Sequence, residues 1–236
     1  MYGQSAEIYD LLYTGTGIKD FAAEAAELHE IVETIRPGTK SWLDVGCGTG
    51  ALLAEMGRWY AVEGVDISPA MLGVARRRLP GVELIEADLR AFDLGRTFDV
   101  VTCLFSSIGY VIEAEDLAPA VARLAAHVAP GGVLVLDGWL RPDAWSDTYR
   151  AEPEVADDQS TTVVRLVLSR RLGDVTELDM HYLVRTAAGI DYFSEVHRLR
   201  LTPTEEYVAA VEAAGMKSLV SPDYMPGRDR IIGLRL

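Results

Sequence analysis

Five short apolar runs alternate with helical patterns between Ser41 and Leu140, and that alternation leaves few folds open. The runs read SWLDVG, AVEGVDI, VELIEAD, FDVVTCLF and VLVLDGWL. Between them the spacing predicts a helix around Leu52–Arg58, then one capped by Ser68 with Pro69 in its first turn. A further helix over Glu115–Val128 places Leu117, Val121, Leu124 and Val128 on one face. Units of this kind build a parallel sheet covered by helices on both faces. Right-handed crossovers then bring every strand's carboxyl end to one edge, where open α/β sheets bind ligands. Ahead of the first run, a short helix and a break at Gly15–Gly17 precede a longer helix carrying Phe21, Ala25, Leu28, Val32 and Ile35, ended by Pro37-Gly38.

The pattern changes after about Arg141. TTVVRLVLSRR, VTELDMHYLVR and YFSEVHRLRL are consecutive strand-like runs with turns expected at Gly173-Asp174 and Gly189-Ile190-Asp191, an antiparallel meander. A last helix from Thr204 to Ala214 and two runs, GMKSLVSPDYM and RDRIIGLRL, return to the first pattern. The expected organisation is a sheet domain over residues 1–140 and 202–236, interrupted by a β insertion at 141–201 over the strand ends.

With 236 residues, one α/β domain with an insertion is the expectation. A formal charge of −14 argues against a nucleic-acid partner, whose phosphates are held mainly by Lys and Arg. No apolar run approaches the roughly 20 residues that span a bilayer, and residues 1–10 lack the pattern of a secretory signal. No membrane association is therefore expected. Cys47 and Cys103 lie in apolar surroundings, which reads as two reduced core thiols in a cytoplasmic protein. Without a CxxC or neighbouring histidines, no metal site is expected. A homodimer is the one protein partnership carried forward.

The first run leads into Gly46-Cys47-Gly48-Thr49-Gly50. Glycines here permit a tight exit from the strand and close approach of a ligand to bare backbone. Packing alone would also explain them, so the next strand ends matter. Asp66 closes the second run, where a carboxylate reaches ribose hydroxyls, and Asp88 closes the third, placed to accept from an adenine amino group. Together the three ends describe an adenosine site. The spacing is G-x-G-x-G, not the G-x-G-x-x-G of pyrophosphate binding. Asp44 beside it repels phosphate and suits a cation. S-adenosyl-L-methionine, with its ammonium and sulfonium and no phosphate, fits both facts.

On LDVGCGTG, GVDIS, EADLR and FDVVTCLFSSIGY, the sequence resembles the class I S-adenosylmethionine-dependent methyltransferases. The resemblance implies a Rossmann-like seven-stranded sheet whose last strand is antiparallel. It also implies cofactor roles for Asp44, Gly46, Cys47, Gly48, Asp66, Ile67, Met71, Asp88, Leu89 and Leu104. EIYDLLYTGTGIKDF, MLGVARRRLPG, DMHYLV, EVHRLRL and MPGRDRIIG are similar in order to the N,N-dimethyltransferases of dTDP-3-amino-3,6-dideoxyhexoses, which finish antibiotic sugars of the desosamine and mycaminose type. That similarity implies Tyr9 and Phe21 near the cofactor's methionine end, and Tyr2, Ser107, Tyr110, His181 and Arg228 facing the sugar nucleotide, with Tyr110 and His181 as the catalytic candidates. Phe21 stands where those relatives carry tyrosine, and position 110 is histidine in some of them.

Each polar candidate has a plainer reading beside it. Tyr110 packs at a pocket mouth or meets an amine. His181 and Asp179 line the cleft or face solvent. Arg228, in a Pro-Gly-Arg turn, grips a diphosphate or forms a surface ion pair, as do the weaker candidates Arg141 and Arg230. His29 and His127 are expected in solvent, and Arg76–Arg78 as a charge cluster at a helix C-terminus. The expected function is N-methylation of a nucleotide-linked amino-deoxy sugar. Methyl transfer to another small acceptor, a cofactor binder without chemistry, and a nicotinamide oxidoreductase are the rivals. The glycine spacing counts against the last.

Overall fold

The structure, a computed structural model, describes residues 3–147 and 151–236. A 3₁₀ turn at Gln4–Ile8 leads into α1 (Tyr9–Gly15) and α2 (Phe21–Ile35). Then come β1 (Ser41–Val45), α3 (Ala51–Met56), β2 (Ala61–Asp66), α4 (Pro69–Arg78), β3 (Glu83–Glu86) and β4 (Phe98–Cys103). A second 3₁₀ turn, Ser107–Tyr110, precedes α5 (Ala114–Ala126) and β5 (Val128–Asp137). The insertion holds β6 (Glu154–Asp157), β7 (Thr162–Leu172), β8 (Val175–Thr186) and β9 (Gly189–Arg200). The chain closes with α6 (Thr204–Ala213), β10 (Lys217–Met225) and β11 (Arg228–Leu234).

Seven strands form the main sheet in the order β10-β11-β5-β4-β1-β2-β3, with β11 antiparallel to both its neighbours. The strand order reverses between β1 and β4, and the crevice at that point opens at the strands' carboxyl ends. This is the expected class I methyltransferase sheet. On one face, Leu117, Val121 and Leu124 of α5 join Tyr207 and Val211 of α6 over Val101 and Leu134. On the other, Leu28, Val32, Leu53, Met56 and Leu72 cover Trp42, Val100 and Val135. The near-continuous apolar runs of β1, β4 and β5 reflect burial on both faces.

The insertion is a separate antiparallel sheet, β6-β7-β8-β9, with one strand more than the sequence pattern gave. Its β8–β9 turn is Ala187-Ala188, since Thr186 pairs with Gly189, so Gly189 starts a strand instead of forming the turn. Leu178, Met180, Tyr182 and Val184 of β8 bury one face of this sheet against Ile8 and Leu12. The alternation of β8 therefore fixes which residues look inward, and His181 is not among them.

Candidate active site

Gly46 and Cys47 leave β1 with both backbone N–H groups donating to the carbonyl of Val65, at 2.7 and 3.0 Å. That ties the glycine turn to the end of β2. Gly46, Gly48 and Gly50 adopt φ of +82°, +55° and +70°, a region L side chains rarely occupy. Asp66, at the end of β2, accepts from the N–H of Gly48 and of Ser68, each at 2.8 Å. Burial raises its pKa, and these backbone donors oppose the rise.

A cavity of about 600 Å³ opens at this edge. Gly46, Gly48, Asp66, Ile67, Met71, Asp88, Leu89 and Leu104 line one end, and Tyr9 stands over it. A smaller recess of about 50 Å³ adjoins it, bounded by Tyr9, Phe21, Asp44 and Cys47 with Lys19 and Glu24. All the cofactor residues named from the sequence thus converge on one continuous edge. Asp44 is buried and accepts from the Thr102 hydroxyl at 2.7 Å. Burial lifts its pKa to about 7 despite that hydrogen bond. Asp88 is already engaged: the backbone N–H and guanidinium of Arg90 donate to it, and Arg90 holds its pKa below the usual range.

Lys19, which no sequence signal marked, lies buried with its ammonium 2.7 and 2.6 Å from the two Glu24 oxygens. It also sits over the Phe105 ring, 4.2 Å from its centre. Phe105 and Ser106 turn the chain after β4 with φ of +53° and +66°. Such backbone strain costs about 1–3 kcal/mol per residue and persists only where neighbours enforce it. Here the buried Asp137 carboxylate accepts from Ser106 N–H at 2.7 Å, and Ser106 Oγ donates to Gly138 O at 2.9 Å. The turn sets the Phe105 ring between the large cavity and the recess, both of which it lines.

The other end of the large cavity is formed by the insertion: Arg165, Val167, Leu178, Met180, His197 and Leu199. Ser107, Tyr110 and Arg228 line it, as the sequence suggested. Arg228 lies 4.3 Å over the Trp139 ring and donates to Ser106 Oγ at 3.1 Å. Among the described residues no carboxylate lies within 4 Å of its guanidinium. Arg141 and Arg230, by contrast, are spent: Arg141 pairs with Asp223 and Asp229, and the buried Arg230 with Glu27.

His181 is a correction. It sits on the outer face of β8, with Nδ1 2.7 Å from Tyr192 Oη and Nε2 3.3 Å from Asp179, and the alternation that turns Met180 inward turns it away. The histidine that reaches the cavity is His197, whose Nδ1 is 2.7 Å from Tyr110 Oη. It lies in the EVHRLRL run, where an HxL alternation alone did not tell inward from outward. Tyr2 lies outside the described residues. His127 is not in solvent: it is buried and accepts from Leu94 N–H at 3.0 Å, while His29 is half-buried and bonds Tyr60 Oη at 2.6 Å. Arg77 and Arg78 do more than balance a dipole, pairing with Glu7 and Asp10 and so pinning the N-terminal segment beside the glycine turn.

A glycine cradle free of side chains, an acid on each of the next two strand ends, and a recess holding both a buried carboxylate and an ammonium fit the parts of S-adenosyl-L-methionine. An edge of this kind defines a class I methyltransferase. The methyltransferase domain family matches residues 43–132. A dTDP-3-amino-3,6-dideoxy-α-D-glucopyranose N,N-dimethyltransferase from Streptomyces fradiae is 42% identical over 227 residues, covering 95% of this chain and 87% of its own. The crystal structure of DesVI from Streptomyces venezuelae superposes with a TM-score of 0.93 at 37% identity, covering 100% of both chains. The S-adenosylmethionine-bound amino pentose methyltransferase CalS10 from Micromonospora echinaspora, involved in calicheamicin biosynthesis, gives 0.87 at 41% identity over 100% of this chain and 98% of its own. The chain belongs to the sugar N-methyltransferase family of the S-adenosylmethionine-dependent enzymes.

Proposed function

We propose that the chain N,N-dimethylates the amino group of a dTDP-linked amino-deoxy sugar in antibiotic sugar biosynthesis. The observation that carries this reading is the cavity of about 600 Å³ whose lining runs from the Gly46–Asp66 cradle to β7, β8 and β9, so that a cofactor edge and the insertion face one space. When bound, S-adenosylmethionine supplies a methyl group on a sulfonium. In this reading Asp66 takes its ribose hydroxyls, Asp88 its adenine, and Asp44 and Lys19 its ammonium and carboxylate, a reading supported by their lining one cavity edge and its recess. Residues 1–140 with 202–236 hold the cofactor and bring Tyr110 and Arg228 to the sugar nucleotide, and the insertion at 141–201 contributes the rest of the sugar site.

Arg228 meets the diphosphate as a cation without a competing carboxylate, which explains how an acidic protein binds one dianion. Tyr110 meets the amine. The apolar wall of Leu178, Met180 and Leu199 strips water from the nitrogen, so that its lone pair faces the donor. Alignment alone supplies about 7–11 kcal/mol of such a barrier.

Mass spectrometry of dTDP-amino sugars, amino acids and carboxylic acids incubated with S-adenosylmethionine tests the reading. Two successive methyl increments on a dTDP-amino sugar support it; an increment on an amino acid or carboxylate instead transfers the function to another small acceptor. Two buried free thiols, Cys47 and Cys103, suit the cytoplasm. Among the described residues, no helix is long and apolar enough to cross a membrane.

A second copy of the chain is the partner that fits the outer face of the insertion. Leu168, Ile190 and Tyr192 are 66%, 70% and 61% exposed there, beside Leu166, Leu183 and Val196. Strand spacing and rise give this face about 650 Å². A stable dimer buries about 800 Å² per partner. Two such faces stacked back to back supply most of that area.

A further inference from the structure

We propose that Tyr110, His197 and Glu195 form a proton relay that strips the substrate ammonium before methyl transfer. The proposal rests on the amino-sugar reading above and deepens it. Tyr110 ends the 3₁₀ turn after β4, and its hydroxyl lies 2.7 Å from His197 Nδ1. His197 is 1% exposed, and its Nε2 lies 3.7 Å from Glu195 Oε2. Glu195 and His197, two residues apart on β9, share one face of that strand.

Glu195 is held as an anion. Its Oε1 accepts from Gly3 N–H at 2.8 Å and Ser5 N–H at 3.3 Å, and its Oε2 from Ser5 Oγ at 2.5 Å. Burial pushes its pKa up, but His197, Ser5 and the backbone donors outweigh that and bring it down to about 2. A fixed anion beside Nε2 selects the tautomer that carries a proton there, because the other would set a lone pair against a carboxylate. Nδ1 is then an acceptor, the Tyr110 O–H donates to it, and Tyr110 itself lines the cavity. The other titratable groups near this set are Tyr9 and Tyr13 on α1, Arg165 on β7 and Tyr182 on β8. Arg165 is the cation among them, and its ion pair with Glu154 offsets its charge.

An aliphatic amine is an ammonium near neutral pH and has no lone pair to attack with. The relay works as follows. An N–H bond of the ammonium breaks, and its electron pair stays on nitrogen. The proton goes to Tyr110 Oη, the tyrosine's own proton passes to His197 Nδ1, and the resulting imidazolium faces the Glu195 carboxylate. Tyr110 ends unchanged, His197 has gained one proton and carries both ring N–H groups, and water recovers the added proton when the cavity empties. Each methylation makes a new ammonium, so N,N-dimethylation requires this step twice. His197 and Glu195 act through Tyr110 as positioning residues, by the logic of a base oriented by a third group.

The chain has only four histidines, so ¹⁵N-histidine spectra are simple to read. With S-adenosylhomocysteine bound at pH 7, adding dTDP-3-amino-3,6-dideoxyglucose should turn one neutral imidazole into an imidazolium. The dTDP-6-deoxyglucose analogue, which brings no ammonium, should leave it neutral. His197→Gln identifies the signal, and the three remaining histidines report that the variant is folded. In turnover, His197→Gln should lower kcat at pH 7 by about 10²–10³-fold with KM little changed, within the roughly 10²–10⁴-fold that an acid–base group contributes. The loss should shrink as pH rises toward the amine's own pKa, and Glu195→Gln should show the same pH profile. A histidine that stays neutral with both ligands, or a His197→Gln loss equal at all pH, overturns the relay while wild-type dimethylation still upholds the functional reading. A wild-type chain that methylates no amino sugar sinks both.

Discussion

Gly46 lies so close to Ser107 that a Cβ on the glycine would stand 2.5 Å from the serine hydroxyl. The two strand-end loops that form the cavity floor, after β1 and after β4, therefore interlock at one backbone point. Gly46→Ala adds that collision to a strained φ of +82°, whereas Gly48 (φ +55°) has nothing within 4 Å of a Cβ. The two glycines should separate folding from binding. Gly46→Ala should lower stability by about 1–3 kcal/mol, as forced left-handed backbone does. Gly48→Ala should cost about 1 kcal/mol but put a methyl group into the cradle and lose cofactor affinity. Thermal unfolding and calorimetric titration with S-adenosylmethionine read the two effects; equal losses of stability in both variants would contradict the interlock.

Asp44 gives the cofactor site a pH dependence. Its pKa is about 7 in the folded chain because it is buried, against an ordinary 3.8. A raised carboxyl pKa means the folded state holds the proton more tightly than the unfolded one. The contribution to stability is present below about pH 4 and is lost as pH rises through about 7. Binding runs the other way, because a cation favours the ionised carboxylate. Affinity for S-adenosylmethionine should rise as pH passes from 6 to 8, with proton release on binding near pH 7. Asp44→Asn should flatten both trends. Calorimetry across that range checks this, and a flat wild-type profile would remove Asp44 from the site.

Much of the sheet domain was legible because its signals are local. Apolar runs too short for helices, Ser68-Pro69 at a helix start and Pro37-Gly38 at a helix end each fix an element within a few residues. The acids at strand ends were legible because a parallel sheet aligns all those ends, so Asp66 and Asp88 needed no tertiary knowledge. The insertion was different. Alternation shows that His181 and Met180 face opposite ways, but which way is inward depends on what Ile8 and Leu12 pack against, a contact between distant segments. Lys19 and Phe105 escaped notice for the same reason. Their roles come from a left-handed turn held by Asp137, more than thirty residues further along the chain.

Arg228 should separate recognition of the sugar nucleotide from chemistry. Its guanidinium stacks on Trp139 and bonds Ser106 Oγ, and these two contacts aim it into the cavity. A bidentate charge-assisted contact to a diphosphate is worth about 1.5–3 kcal/mol. Arg228→Gln should therefore raise KM for the nucleotide sugar about 10–100-fold, leave kcat within a few-fold, and leave S-adenosylmethionine affinity unchanged. Arg228→Lys should recover only part of the loss, because an ammonium cannot reproduce the fork or the stacking. Unaltered steady-state kinetics in Arg228→Gln would exclude the diphosphate role.

The outer face of the insertion supplies the last test. Across β7, β8 and β9, Leu168 and Val196 flank Asp179 from either side, and Leu183 stands beside Tyr192. At one end Arg170 and Arg198 flank Glu177 in an ion-paired cluster. Exposed apolar side chains grouped on one sheet face of a lone chain are an aggregation hazard, while in a two-fold pair each copy covers the other. Light scattering at micromolar concentration should give twice the 25.8 kDa chain mass. Leu168→Arg with Leu183→Arg should halve that mass by placing like charges across the interface. These side chains face away from the cavity, so cofactor affinity should survive the substitution. A monomeric wild-type chain, or a double variant that stays dimeric, would move the interface elsewhere.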